Sequence, residues 1–187
     1  MDIQFLQAKY SFAPQFDRPF DWAVLHAAVT AEKADRAEWL MKYCANNDRK
    51  ASWHYAVDCD SITQSVIEAH IAYHAGRTAN TKGIGIEFAT EAEASVAGWQ
   101  DAYSVKMLQL GSFLLAGICR RRAIPPVFID AEGLRAGRRG VTTHAEVAKA
   151  FPKETTHTDP GPNFPMEFFL AQVSERLTNG NYQETWR

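Results

Sequence analysis

The stretch DWAVLHAAVT, residues 21–30, constrains the fold of this chain more than any other segment. It is an apolar run between polar segments, and such a run is typical of a buried strand. A second run, GIGIEFAT at 83–90, is flanked by glycine and predicts a further strand. Strands that are buried in this way need helices or other strands to cover them.

Helical and strand patterns alternate along the rest of the chain. From Ala102 to Arg122 apolar residues recur at steps of three and four, which is the core stripe of a long amphipathic helix. SWHYAVD and ITQSVI predict a strand hairpin, and PPVFID predicts an extended segment. A helix is expected from about Asp35, where D-R-A-E offers a capping box, and a last helix from Pro165.

This alternation predicts an α/β fold, with a central mixed β-sheet flanked by helices in a single domain. We expect residues 1–178 to form that domain, with its core at about 22–170, and 179–187 to be a loose tail. Arg120, Arg121 and Arg122 end the long helix, where cations favour the helix dipole, and predict a solvated helix end.

Composition excludes some classes of partner. A formal charge of -2 gives no global basic field for nucleic acid or an anionic membrane. No apolar run in the sequence approaches the ~20 residues that cross a bilayer. The first residues lack the basic-then-apolar pattern of a signal peptide, so we expect synthesis in a cytoplasm without one.

Three histidines and one aspartate stand in unusual places. His26 lies inside the first apolar strand, and taken alone it is more readily a hydrogen-bonded core residue than a ligand. His144 marks the change from an extended segment to a helix, where a surface histidine would be ordinary. In the proline-rich stretch TTHTDPGPNFP, His157 and Asp159 lie two positions apart, so in an extended backbone they face the same side.

Taken together these residues fit a catalytic metal. Catalytic zinc is held by three side chains of His, Asp or Glu with a fourth position open to water. His26, His144, His157 and Asp159 supply four candidates for three places. Glu87 ends the apolar run IGIE, and it either points to solvent or faces the metal site as a general base.

The order of the motifs resembles a known family. VLHAAV, ASWHYAVDCDSITQSV, AYHAG, GIGIEF, TTHAEVAKAF and HTDPGPNFP follow one another as in the zinc-dependent N-acetylmuramoyl-L-alanine amidases, which include phage endolysins, recycling amidases and peptidoglycan recognition proteins. The resemblance runs from about Trp22 to Phe168. HTDPGPNFP looks most similar to amidase modules of phages that infect actinobacteria.

The resemblance implies roles for individual residues. His26, His144 and Asp159 would hold one Zn²⁺ per chain, Glu87 would be the base, and His157 would replace the lysine that stabilises the oxyanion. Only an imidazolium at His157 would bring the charge of that lysine. His74 would line the substrate groove. Trp53 would also contact substrate, where some lysins place a catalytic tyrosine whose acidic proton an indole lacks.

The implied reaction is cleavage of the amide between the lactyl group of N-acetylmuramic acid and L-alanine of the stem peptide. The expected protein is a phage or prophage endolysin, a monomer that reaches bacterial peptidoglycan after release from the host cytoplasm. Two alternatives stay open at this point: a cytosolic amidase that recycles anhydro-muropeptides, and a non-catalytic peptidoglycan-binding protein of the same fold.

Overall fold

A computed structural model describes residues 3–15, 17–91 and 95–182 of the chain. The strands are β1 (Gln4–Phe5), β2 (Ser11–Phe12), β3 (Trp22–Val29), β4 (Tyr55–Val57), β5 (Ile62–Gln64), β6 (Ile71–Ala72), β7 (Gly83–Thr90) and β8 (Gly140–Thr143). The helices are α1 (Arg36–Asn46), α2 (Gly76–Lys82), α3 (Ala102–Arg122), α4 (Ala131–Arg135), α5 (His144–Ala150) and α6 (Met166–Asn179).

Six of these strands form one mixed sheet in the order β1-β5-β4-β7-β3-β8. The β4–β5 hairpin is antiparallel, whereas β3 pairs in parallel with both β7 and β8. Strands β2 and β6 form a separate antiparallel ribbon. The predicted α/β fold with a mixed central sheet and flanking helices is therefore confirmed.

The two faces of the sheet carry side chains of different size. Because neighbours along a strand point to opposite faces, Leu25 and Phe88 lie on one side and His26 and Glu87 on the other. The first side packs its large side chains against α3 and α6 in the main hydrophobic core. The second side is built largely from small residues, which leaves space above the sheet for a groove: Ala28, Ala56, Gly83, Gly85 and Ala89.

Helix α3 lies close against the sheet. A Cβ atom at Gly111 would stand 2.4 Å from Cε1 of Phe88, so only glycine allows this approach. Contrary to the sequence expectation, α3 is by length and composition able to cross a membrane. In this fold it serves as a core helix, with 61% of its apolar window buried.

Two local predictions are wrong. Helix α1 begins at Arg36 as expected, but Asp35 adopts a left-handed conformation (φ 88°) and makes no side-chain cap; the carboxylate of Asp58 instead accepts from the backbone N–H of Ala37 at 2.9 Å. PPVFID pairs with β8 as an extended segment, through one parallel bridge between Phe128 and Val141.

The second correction concerns the end of α3, where Arg121 and Arg122 both contact the buried carboxylate of Glu68 instead of being solvated. Of the predicted loose tail, Asn179 still belongs to α6, and residues 183–187 lie outside the described residues.

Candidate active site

Strand register brings the candidate residues into one row across the sheet. His26 on β3 is paired with Glu87 on β7, and Glu87 is paired in turn with Ala56 on β4. On the other side, β8 ends at Thr143 opposite Leu25, so His144 follows at the level of His26. Strand β3, strand β7 and the end of β8 therefore bring two imidazoles and a carboxylate to the floor of the groove.

The donor atoms of three residues converge on one point. We call these residues, His26, His144 and Asp159, the ligand group. Nδ1 of His26 lies 3.1 Å from Nδ1 of His144 and 3.1 Å from Oδ2 of Asp159. Nδ1 of His144 lies 3.1 Å from Oδ1 of Asp159. Of the residues that the structure describes, these three form the one group of His, Cys, Asp and Glu found able to hold a metal ion.

The electrostatics of the ligand group favour the protonation states that a metal requires. Burial lowers the pKa of His144, although the bond to Asp159 opposes this shift. Burial alone would raise the pKa of Asp159, but its bonds to His144 and His26 outweigh burial and hold that pKa well below its ordinary value. Near neutral pH the site thus presents a carboxylate and a neutral His144, as metal binding demands.

The proline-rich loop is bound to helices α2 and α5 beside the ligand group. The carbonyl of Asp159 accepts from the N–H of Ala145 at 3.0 Å, and Oγ1 of Thr155 lies 2.7 Å from Nε2 of His144. The carboxylate of Glu154 accepts from both the N–H and the hydroxyl of Thr78 at 2.7 Å. These contacts fix the loop at its start and at Asp159 in its middle.

His157 lies at the rim of the groove. Its ring is parallel to that of His144, with centroids 4.9 Å apart, and Nδ1 is 3.9 Å from Oδ1 of Asp159. The side chain is 73% exposed, so it can reach a substrate above the ligand group. His157 and Asp159 do lie close together, and of the two it is Asp159 whose carboxylate contacts both histidines.

Two further histidines lie next to the ligand group: His74 contacts His26, and His54 packs against His74. Nδ1 of His74 lies 3.0 Å from Nε2 of His26. His54 is fully buried; its Nδ1 accepts from the N–H of Gly85 and its Nε2 lies 3.1 Å from the carbonyl of His70. Burial lowers the pKa of both His74 and His54, and charged neighbours add to the shift, so both rings are neutral at pH 7.

Three stacked aromatic side chains, Trp39, Tyr43 and Trp53, form an aromatic wall of the groove. The rings of Trp39 and Tyr43 stack at 5.7 Å, and those of Tyr43 and Trp53 at 6.2 Å. Trp39 is 47% exposed, whereas Trp53 is mostly buried at the base of the wall. Arg49 and Lys50 also line the groove, which encloses about 940 Å³.

All seven residues singled out in the sequence line this groove: His26, Trp53, His74, Glu87, His144, His157 and Asp159. Sequence reasoning missed Trp39, Tyr43 and Thr155. The four-residue spacing of Trp39 and Tyr43 on a helix was a usable signal, because it places both rings on one face. Thr155 carried no signal, since its contact with His144 depends on how the loop folds back.

The chain matches the model of a protein family described as N-acetylmuramoyl-L-alanine amidase over residues 16–162. No curated protein matches the sequence. Solved structures do match: the Staphylococcus aureus hydrolase AmiA, determined in complex with its ligand, has a TM-score of 0.69 and 18% identity, covering 99% of this chain and 88% of that one.

Two other solved structures extend the comparison. An AmpD derivative gives a TM-score of 0.60 at 20% identity, covering 91% of this chain and 94% of its own. A mutant endolysin from Bacillus subtilis gives 0.59 at 19% identity, covering 92% and 99%. At these identities the similarity establishes the fold, and the family follows from the matched segment.

Proposed function

Because the chain belongs to the N-acetylmuramoyl-L-alanine amidase family, we propose that it hydrolyses the amide between the muramic acid lactyl group and L-alanine of peptidoglycan. The observation that carries this proposal is the ligand group at the floor of an open groove, beside a buried carboxylate. We assign the catalytic domain to residues 1–178, with its core at about 22–170.

The ligand group fits a zinc ion. Two imidazole nitrogens and one carboxylate oxygen are a usual donor set for catalytic zinc. Tetrahedral ligands at the usual bond lengths lie about 3.3 Å from one another, close to the 3.1 Å between these atoms. When bound, zinc would supply a polarised carbonyl and a water acidic enough to give hydroxide near neutral pH.

Glu87 is placed to move the proton. It is 7% exposed, lines the groove and is the strand neighbour of His26. We assign it the role of accepting the proton of the attacking water on a carboxylate oxygen and delivering it to the leaving nitrogen of L-alanine. A single carboxylate can do both, because the amine needs the proton only after the water has lost it.

His157 is assigned to the developing oxyanion. Its exposed ring stands over His144, so a ring N–H can face the carbonyl oxygen as charge accumulates there. Trp53 has no acidic proton, so we assign it to the apolar wall that excludes water beside the scissile amide. His74 lines the groove, with Nδ1 facing His26 and Nε2 buried.

The proposed role is that of a phage or prophage endolysin, acting on the cell wall as a monomer after release from the host. The size of the groove, about 940 Å³, supports this role, because a glycan-linked stem peptide is a large substrate. Turnover of intact walls and of soluble anhydro-muropeptides should be compared. A strong preference for the soluble fragments would instead assign the chain to recycling.

The metal requirement tests the proposed chemistry. The protein is stripped with a chelator, reloaded with zinc, and assayed for new amino groups released from purified peptidoglycan. We expect activity to vanish and return with one zinc per chain, and His144→Ala and Asp159→Ala to lose both. Full activity of the metal-free protein would contradict the proposal, and zinc binding without turnover would indicate a recognition protein.

A further inference from the structure

We propose that His74 is a positioning residue that holds His26 in the one tautomer able to bind a metal. The inference rests on the proposed zinc site and goes beyond it, because it concerns a side chain that does not itself contact the metal. It follows from the two ring nitrogens of His26, which have different neighbours.

The position of the proton on His26 follows from its contacts. Nδ1 faces the other donors of the ligand group at 3.1 Å, so metal binding needs a lone pair there. A neutral imidazole then carries its proton on Nε2. Nε2 lies 3.0 Å from Nδ1 of His74, which must accept that proton's hydrogen bond.

The tautomer of His74 follows from the same hydrogen bond. With Nδ1 as acceptor, its own proton sits on Nε2, a buried atom without a hydrogen-bond partner among the described residues. Leaving a buried ring nitrogen unpaired is costly, and an apolar side chain would avoid the cost. The bond from His26 gives a reason for a histidine at this position, and a ligand histidine usually has such a partner on its second nitrogen.

The ring of His74 is held where it can act on His26. A Cβ at Gly85 would stand 2.7 Å from Cγ of His74, so the ring rests directly on the bare strand. Oδ1 of Asn80 accepts from the backbone N–H groups of His74 and Ala75, both at 2.8 Å. The edge of His54 packs against the ring, with centroids 5.9 Å apart.

The zinc-loaded wild-type protein gives the first test, through long-range ¹H–¹⁵N correlation of its histidine rings. We expect His26 to carry its proton on Nε2 and His74 to carry its own proton on Nε2, which leaves Nδ1 of His74 as the acceptor. A proton on Nδ1 of His74 in the zinc-loaded protein would overturn the proposal without any variant.

Zinc affinity gives the second test, by competition with a chelating dye. His74→Phe keeps a ring of similar size but cannot accept, and we expect it to bind zinc about 10–100-fold more weakly. His74→Asn restores an acceptor close to the place of Nδ1 and should recover most of the loss. Tyr73→Phe, which removes a polar group from the adjacent groove-lining residue, is the matched control and should bind zinc like wild type.

Circular dichroism of the metal-free variants checks that each one folds. Unchanged zinc affinity in folded His74→Phe would overturn the role of His74 and leave the proposed function intact. Absence of zinc binding by the wild-type protein would instead contradict the proposed function.

Discussion

His54 provides a test of the buried histidine network through the pH dependence of stability. Burial, with the nearby Arg18 cation, lowers the pKa of His54 to about 3, whereas an unfolded histidine titrates near 6.5. At pH values between these two pKa values, His54 is protonated in the unfolded chain and neutral in the folded chain. The free energy of unfolding therefore falls as the pH drops below about 6.5, and the full contribution is present only above it.

The expected magnitude depends little on the folded pKa, provided that it lies well below 5. The unfolded histidine has a pKa of about 6.5, so it becomes protonated over about 1.5 pH units on the way from about pH 8 to about pH 5. At about 1.4 kcal/mol per pH unit, the free energy of unfolding falls by roughly 2 kcal/mol. His54→Asn removes this titration and keeps an amide oxygen that can accept from Gly85.

Guanidinium unfolding of both metal-free proteins at the two pH values measures the effect. The remaining histidines titrate in both, so the difference between the two losses isolates His54. We expect wild type to lose roughly 2 kcal/mol more than His54→Asn on acidification. Equal losses would refute the conclusion that His54 is held neutral in the fold.

Three further predictions concern the site and its supports. Glu87→Gln should retain one zinc per chain and lose about 10²–10⁴-fold in kcat, and a loss smaller than about tenfold would remove Glu87 from the proton transfers. Gly85→Ala forces a methyl group against His74 and should lower the free energy of unfolding by about 1–3 kcal/mol in chemical denaturation; wild-type stability would contradict the tight seat of that ring. Glu68→Gln leaves Arg121 and Arg122 without their buried carboxylate and should cost about 2–4 kcal/mol on the same assay, whereas a cost near zero would show that water replaces it.

The sequence predicted the elements whose signal is local. Apolar runs marked β3 and β7, and the three-and-four spacing marked α3, because both patterns follow directly from which faces are buried. The helix start at about Asp35 was right, but the predicted capping box was wrong because the cap comes from Asp58, which is remote in sequence and reaches the helix only through the β4–β5 turn.

Local sequence patterns could not predict the candidate site, because its residues are far apart in the chain. His26 and Asp159 are 133 positions apart, and only the pairing of β3 with β8 and the return of the proline-rich loop bring them together. The motifs identified these residues through resemblance to a family. The bond between His26 and His74, and the burial of Glu68 under two arginines, depend on packing that no local pattern encodes.

Mass analysis of digested peptidoglycan tests the central claim most directly, because it locates the bond that is cut. Purified walls are incubated with the zinc-loaded protein, and the soluble products are compared with those of Glu87→Gln. We predict stem peptides that begin with a free L-alanine amino group, together with glycan strands that have lost their peptides. Products cut within the glycan or within the stem peptide, with the muramic acid–alanine amide intact, would contradict the account.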